Sequence, residues 1–249
     1  MRIDILTLFP EVFAGLLDHS IVGRAREQGL LDLRLVQWRD YATDRHHTVD
    51  DAPYGGGAGM VLKAEPLSRA IEDLRPAGAT PPRTQVVYLS PQGRLFDQSI
   101  ACELAHEAFH LVLVCGHYEG IDERACRTLF DRELSLGDYV LTGGELPAAI
   151  VVDAVARLLP GVLGNEESAQ QDSFMEGILD YPHYTRPEVF RDIAVPPILL
   201  SGHHARVLAW RRREALRRTL EVRPDLLEKA HLTDEDRAII AELRREIRS

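Results

Sequence analysis

The chain has three cysteines in 249 residues, at positions 102, 115 and 126, and none forms a Cys-x-x-Cys pair. That spacing offers neither a disulfide framework nor a thiolate zinc site, and an odd, scattered count points to buried free thiols in a reducing cytoplasm. No run of about 18 apolar residues occurs, so a membrane-spanning helix is not expected. The first nine residues, MRIDILTLF, lack a signal-peptide layout and read as a strand. Bulk positive charge is also missing. Lys and Arg total 29 against 39 Asp and Glu, a formal net charge of −10, so any nucleic-acid contact must come from a local patch. Internal repeats and low-complexity tracts are absent. The glycine-dense segment at 53–60, PYGGGAGM, does not end in Gly-Lys-Ser/Thr, which argues against a Walker-type phosphate loop. It remains either a substrate- or RNA-facing loop or a plain connector.

What is present is an α/β pattern. Residues 3–8 and 31–36 alternate as strands, and 85–89 and 111–115 run apolar as in a parallel sheet covered on both faces. Helices are expected over 10–17, from a Ser20 cap to 26, over 65–74, from an Asp97 cap to 108, from 121 to 130, and over 145–159. The last of these reads as apolar on most faces, with Ile150, Val151, Val155 and Leu158 buried. Strand 85–89 is expected to end at Ser90, and a linker-like loop spans 76–82. In such folds ligands bind beyond the carboxyl ends of the strands. Three loops have the composition for it: 89–93 (LSPQG), 115–120 (CGHYEG) and 135–147 (SLGDYVLTGGELP). Their glycines permit tight turns and close approach of a flat ligand to backbone N–H and C=O groups. Composition turns polar after residue 161. The expected organisation is a domain over 1–161, a mobile linker over 162–175 and a mostly helical domain over 176–249.

Seven motifs then fall in order: YGGG at 54–57, LSPQG at 89–93, GHYEGIDER at 116–124, GDYVLTGGELP at 137–147, PGVLG at 160–164, DSF at 172–174 and YTRP at 184–187. Together, over nearly the whole chain, they resemble the TrmD family of bacterial tRNA (guanine-N1)-methyltransferases, of the SPOUT class. The resemblance implies a parallel-sheet α/β domain with a deep trefoil knot, S-adenosylmethionine as methyl donor, and a homodimer whose active site lies at the subunit interface. It implies methylation at N1 of guanosine 37 in tRNA, preceded by G36, and a magnesium requirement. The sequence departs from the family pattern at Ala58, His117 and Leu136, none of them a group assigned to chemistry.

Methyl transfer to guanine N1 needs removal of the N1 proton and a donor to O6, where negative charge moves. Matching positions make Asp172 the general base and Arg157 the O6 donor. From the residues alone, Asp172 or Ser173 could instead cap a helix, with Ser173 and Glu176 as a capping box. Arg157 could pair with Asp153 one turn earlier. Donor-binding residues are Pro91 as pocket wall, Gly116 and Tyr118, with Glu119 either near the sulfonium or charging a helix N-terminus. The third loop contributes Ser135, Leu136, Gly137, Asp138, Tyr139, Val140 and Leu141, then Gly143, Gly144 and Pro147. The pairs His46–His47 and His203–His204 lack the spacing of metal ligands, so no protein metal site is expected. The run of Arg206, Arg211, Arg212, Arg213, Arg217 and Arg218, offset locally only by Glu214, is read as a tRNA phosphate contact. Trp210, Tyr181 and Tyr184 read as packing residues. The rival functions are a non-catalytic RNA-binding protein with a nucleotide ligand, which needs no base, and a phosphate-loop NTPase.

Overall fold

The computed structural model describes residues 1–75, 84–164 and 172–248. The expected loop at 76–82 and half of the expected linker at 162–175 lie outside the described residues. The chain divides into two compact units, Met1–Gly164 and Asn165–Ser249.

The first unit is built on a five-stranded parallel sheet: β1 (Arg2–Thr7), β2 (Asp32–Gln37), β5 (Thr84–Leu95), β6 (His110–Cys115) and β7 (Arg132–Ser135), in the order β2-β1-β6-β5-β7. Two short strands, β3 (Asp50–Asp51) and β4 (Val61–Leu62), form a separate antiparallel pair. Alternate side chains go to opposite faces of a strand. Accordingly Ile3, Ile5, Val87, Leu89, Leu111 and Leu113 join one core, with α1 (Ser20–Glu27), α3 (Gln98–Glu107) and α5 (Glu145–Ala156). Leu6, Val86, Tyr88, Val112 and Val114 join the other, with α2 (Ala64–Leu74) and α4 (Glu123–Leu129). The continuous apolar run of β6, fully buried from Leu111 to Cys115, is the sequence consequence of a sheet covered on both faces.

Several local expectations change. Ser20 does not cap α1; His19 is the cap residue, without a side-chain bond. Only a 3₁₀ turn, Pro10–Phe13, forms in the segment expected to be helical over 10–17. Strand β5 does not end at Ser90. Both Leu89 and Arg94 pair with Leu134, so Ser90–Gly93 bulges out and the strand resumes to Leu95. Strand β7, too short and polar at its start to show a period, was not anticipated. Ile150 is 50% exposed rather than buried, because α5 turns only one side to the sheet. By contrast Asp97 caps α3 as expected, its Oδ1 accepting from the Ile100 N–H at 3.0 Å.

The second unit holds a short hairpin, β8 (Val189–Phe190) with β9 (Ile193–Ala194), followed by α6 (Pro197–Leu200), α7 (His204–Val222) and α8 (Asp234–Arg248). Ile178, Ala215, Leu216, Ile240 and Leu243 form its core. Among the described residues no helix is long and apolar enough to cross a membrane.

Candidate active site

Beyond the carboxyl ends of β5, β6 and β7, three loops enclose a cleft of about 500 Å³. That volume suits a ligand of nucleoside size with a side chain. Each wall has a local cause. The Ser90–Gly93 bulge projects from β5, and a Cβ on Gly93 would lie 2.4 Å from the Leu134 N, so only glycine lets the bulge return against β7. After β6, Tyr118 adopts φ +59°, uncommon for a bulky residue, and the Gly120 N–H returns to the His117 carbonyl at 3.1 Å. Non-glycine residues held in this region cost of order 1 kcal/mol or more and mark functional loops. After β7, the Ser135 hydroxyl accepts from the Gly137 N–H at 3.2 Å and Tyr139 N–H donates to the Gly137 carbonyl at 2.9 Å. This tight turn leaves Tyr139, Val140 and Leu141 exposed, Val140 at 84%.

The third loop is tied to the second. Gly144 N–H donates to the Gly116 carbonyl at 3.0 Å, and a Cβ on Gly144 would lie 2.6 Å from the Cys115 Cα. Backbone packs on backbone there. The glycine-rich 52–60 segment joins β3 to β4 and is fastened to the same region. Glu119 N–H donates to Met60, Leu62 N–H to Gly120, and Asp122 N–H to Leu62, at 3.0, 2.9 and 3.0 Å. The Glu119 side chain lies against Gly59. Tyr54, at the start of the glycines, is fully exposed.

Every residue expected to bind the donor, except Asp138, lines this cleft. Glu119 sits outside the first turn of α4, whose cap is Asp122 and whose acidic first-turn residue is Glu123. Cleft residues that sequence reasoning missed include Tyr88, Glu123, Cys126, Arg127 and Glu133. They sit on strands and helices whose cleft-facing side only the fold defines. Three carboxylates (Glu119, Glu123, Glu133) thus face one guanidinium, Arg127, which pairs with Glu123 at 2.8 Å. An excess of negative charge fits a cationic ligand such as a sulfonium. Burial pushes the Cys126 thiol up to about 11, with nearby carboxylates adding to it, and holds Cys115 well above the ordinary thiol range, the Glu145 carboxylate reinforcing it. Both thiols are protonated at neutral pH and are poor nucleophiles. The described residues include no cluster of three or more His, Cys, Asp or Glu placed to hold a metal ion, so a resident magnesium has no ready-made cage among them.

Arg157 follows the last residue of α5, its N–H bonded to the Asp153 carbonyl at 3.2 Å. Asp172 belongs to the second unit, where residues 172–177 form turns rather than a helix. The Ser173 hydroxyl accepts from Asp180 N–H at 2.9 Å, and Glu176 pairs with Arg212. The capping alternative for this segment therefore has no helix to serve.

The basic run on α7 is largely spoken for, contrary to the expectation that only Glu214 offsets it. Arg212 makes a two-pronged bond to Asp236, both contacts 2.8 Å. Arg213 pairs with Glu242 and Glu246, and Arg217 with Glu246 at 3.0 Å. Arg211 lies over the Tyr181 ring, 4.8 Å from its centroid. Sequence distance hid the carboxylates Asp236, Glu242 and Glu246, which arrive from α8. Arg206 and Arg218 stand exposed.

Comparison with known proteins agrees with the site. A family model described as tRNA (guanine-1)-methyltransferase TrmD matches residues 1–229. A protein of Moorella thermoacetica named tRNA (guanine-N(1)-)-methyltransferase is 57% identical over 98% of this chain and 97% of its own length. Proteins of the same name from Pelotomaculum thermopropionicum and Brevibacillus brevis are 58% and 57% identical, over 98% and 99% of this chain and 96% and 99% of their own. The chain belongs to the tRNA (guanine-1)-methyltransferase TrmD family and is a methyltransferase.

Proposed function

We propose that this chain transfers a methyl group from S-adenosylmethionine to N1 of guanosine 37 in tRNA carrying G36, working in the cytoplasm as a homodimer. The observation that carries the reading is the acidic, glycine-walled cleft at the ends of β5, β6 and β7 in a chain of this family. The donor supplies an electrophilic methyl carbon on a sulfonium. Cleft backbone groups after β7 hold its flat base, and the surplus carboxylates face its positive charge. Asp172 accepts the guanine N1 proton, which frees the N1 lone pair to form the new N–C bond as the C–S bond breaks. Arg157 donates to O6, where the displaced negative charge collects. Positioning supplies the rest of the rate.

The dimer reading rests on an apolar face. Leu146 and Ile150, one turn apart on α5, are 53% and 50% exposed; Val12, within the Pro10–Phe13 turn that packs on α5, is 45% exposed and Leu16, after it, 49%. The trefoil knot in this reading comes from the family resemblance alone.

The test is transfer of labelled methyl from S-adenosylmethionine to an unmodified G36-G37 transcript and to its G37→A counterpart. Label on the first alone is the expected result. Label on neither, with the cofactor bound, would favour the RNA-binding reading.

A further inference from the structure

A buried carboxylate sits directly behind the cleft wall, outside the chemistry described so far. Glu145 is the first residue of α5 and only 5% exposed. Both of its oxygens are engaged. The Thr7 hydroxyl, at the end of β1, donates to Oε1 at 2.6 Å, and that hydroxyl in turn accepts from the Phe9 N–H at 3.0 Å. Oε2 lies 2.8 Å from Nε2 of His117, on the loop after β6. One side chain therefore joins the exits of β1 and β6 to the start of α5.

The geometry bears on which ring nitrogen of His117 carries a proton. An ionised carboxylate only accepts hydrogen bonds. With Thr7 donating to Oε1, a carboxylate at Glu145 needs a second donor at Oε2, and the contact to His117 then places a proton on Nε2. Phe9 meets the ring edge-on at 4.9 Å between centroids, and Gly143 packs against the bond itself. A Cβ on Gly143 would lie 2.4 Å from His117 Nε2 and 2.5 Å from Glu145 Oε2. The ring is thus held on several sides while lining the cleft, and Nδ1 makes no hydrogen bond to the described residues.

We propose that Glu145 is a positioning residue that locks His117 with Nε2–H turned inward, so that Nδ1 serves the cleft as an acceptor for an N–H or O–H of the methyl donor. The proposal rests on the reading of the cleft as the donor site. Oriented histidines with a carboxylate behind them are a common way to set a tautomer. Here the carboxylate also pins the Gly143–Gly144 wall, so orientation of the ring and shape of the pocket depend on the same group.

The experiment is binding of S-adenosylhomocysteine by calorimetry to the full chain and to Glu145→Gln and His117→Ala, with ¹⁵N resonances of the His117 ring recorded in the wild type and in Glu145→Gln. Glutamine offers one acceptor and one donor where both partners are donors, so one bond is lost or the ring reverses. The expected results are an Nε2–H tautomer in the wild type, a changed ring pattern in Glu145→Gln, and about tenfold weaker binding in both variants. Under turnover, KM for S-adenosylmethionine rises while KM for tRNA does not. A wild-type ring protonated on Nδ1, or variants that bind as tightly as the wild type, would overturn the positioning role and leave the cleft assignment standing. Failure of the wild type to bind S-adenosylhomocysteine would remove the cleft assignment, and the proposal with it. Since Glu145→Gln removes a buried bond, thermal unfolding of His117→Ala provides the control: loss of affinity without loss of folding in that variant supports the proposal, and parallel loss of both contradicts it.

Discussion

At the scale of single residues, two groups are proposed to carry the chemistry, and one ion pair with a buried carboxylate contributes stability. Removing the proposed O6 donor should slow transfer while sparing substrate binding. Arg157→Ala is expected to lower kcat by about 10²-fold or more, with KM for tRNA little changed, in steady-state methyl transfer. The ion pair is Asp236 with Arg212. The guanidinium hydrogen bonds hold the Asp236 carboxyl down to about 2, against burial that opposes it. A carboxylate with a depressed folded value adds stability above its unfolded value near 4 and loses it as pH falls towards 2. The contribution at neutral pH is about 2 kcal/mol. Thermal unfolding measured from pH 7 to pH 2 should show this loss below pH 4, and Asp236→Asn should remove that part of the pH dependence.

At the scale of elements, glycine sets the cleft walls. Gly144→Ala places a methyl 2.6 Å from the Cys115 Cα, where backbone cannot yield. The expected cost is about 1–3 kcal/mol in thermal or denaturant unfolding, together with weakened donor binding. An unchanged melting temperature and affinity would mean the two loops do not meet as described. The same elements show what the sequence could and could not reveal. Strand β6 and the Asp97-capped α3 were legible, because burial on both faces and capping are local signals. Strand β7 was not, since four residues with a polar start hold no period. The exposed side of α5 was hidden because Leu146 and Ile150 are as apolar as its buried side. The motif residues after β5, β6 and β7 were legible as candidates, yet Glu133 and Cys126 reach the cleft through sheet order and helix orientation, which no local pattern encodes. The Thr7–Glu145–His117 network, spanning 138 residues, is of the same kind.

At the scale of the whole molecule, a net charge of −10 requires tRNA contact through selected cations. The carboxylates of α8 remove Arg212, Arg213 and Arg217 from that role and make them part of the packing of the second unit. Changing Arg211, Arg212 and Arg213 together to Ala is therefore expected to lower the unfolding temperature and to abolish tRNA binding by loss of structure. Changing the exposed Arg206 and Arg218 should leave unfolding unaltered. If both contact phosphates, that double variant flattens the slope of log affinity against log salt by roughly 2. Titrations of tRNA at several salt concentrations decide the matter.

The central claim is that Asp172 removes the N1 proton of guanosine 37. Single-turnover methyl transfer to G36-G37 tRNA, with tRNA affinity measured in parallel, tests it in the Asp172→Asn variant. The account predicts a rate lowered by at least about 10²-fold with affinity for tRNA retained. A variant that methylates at the wild-type rate would contradict it.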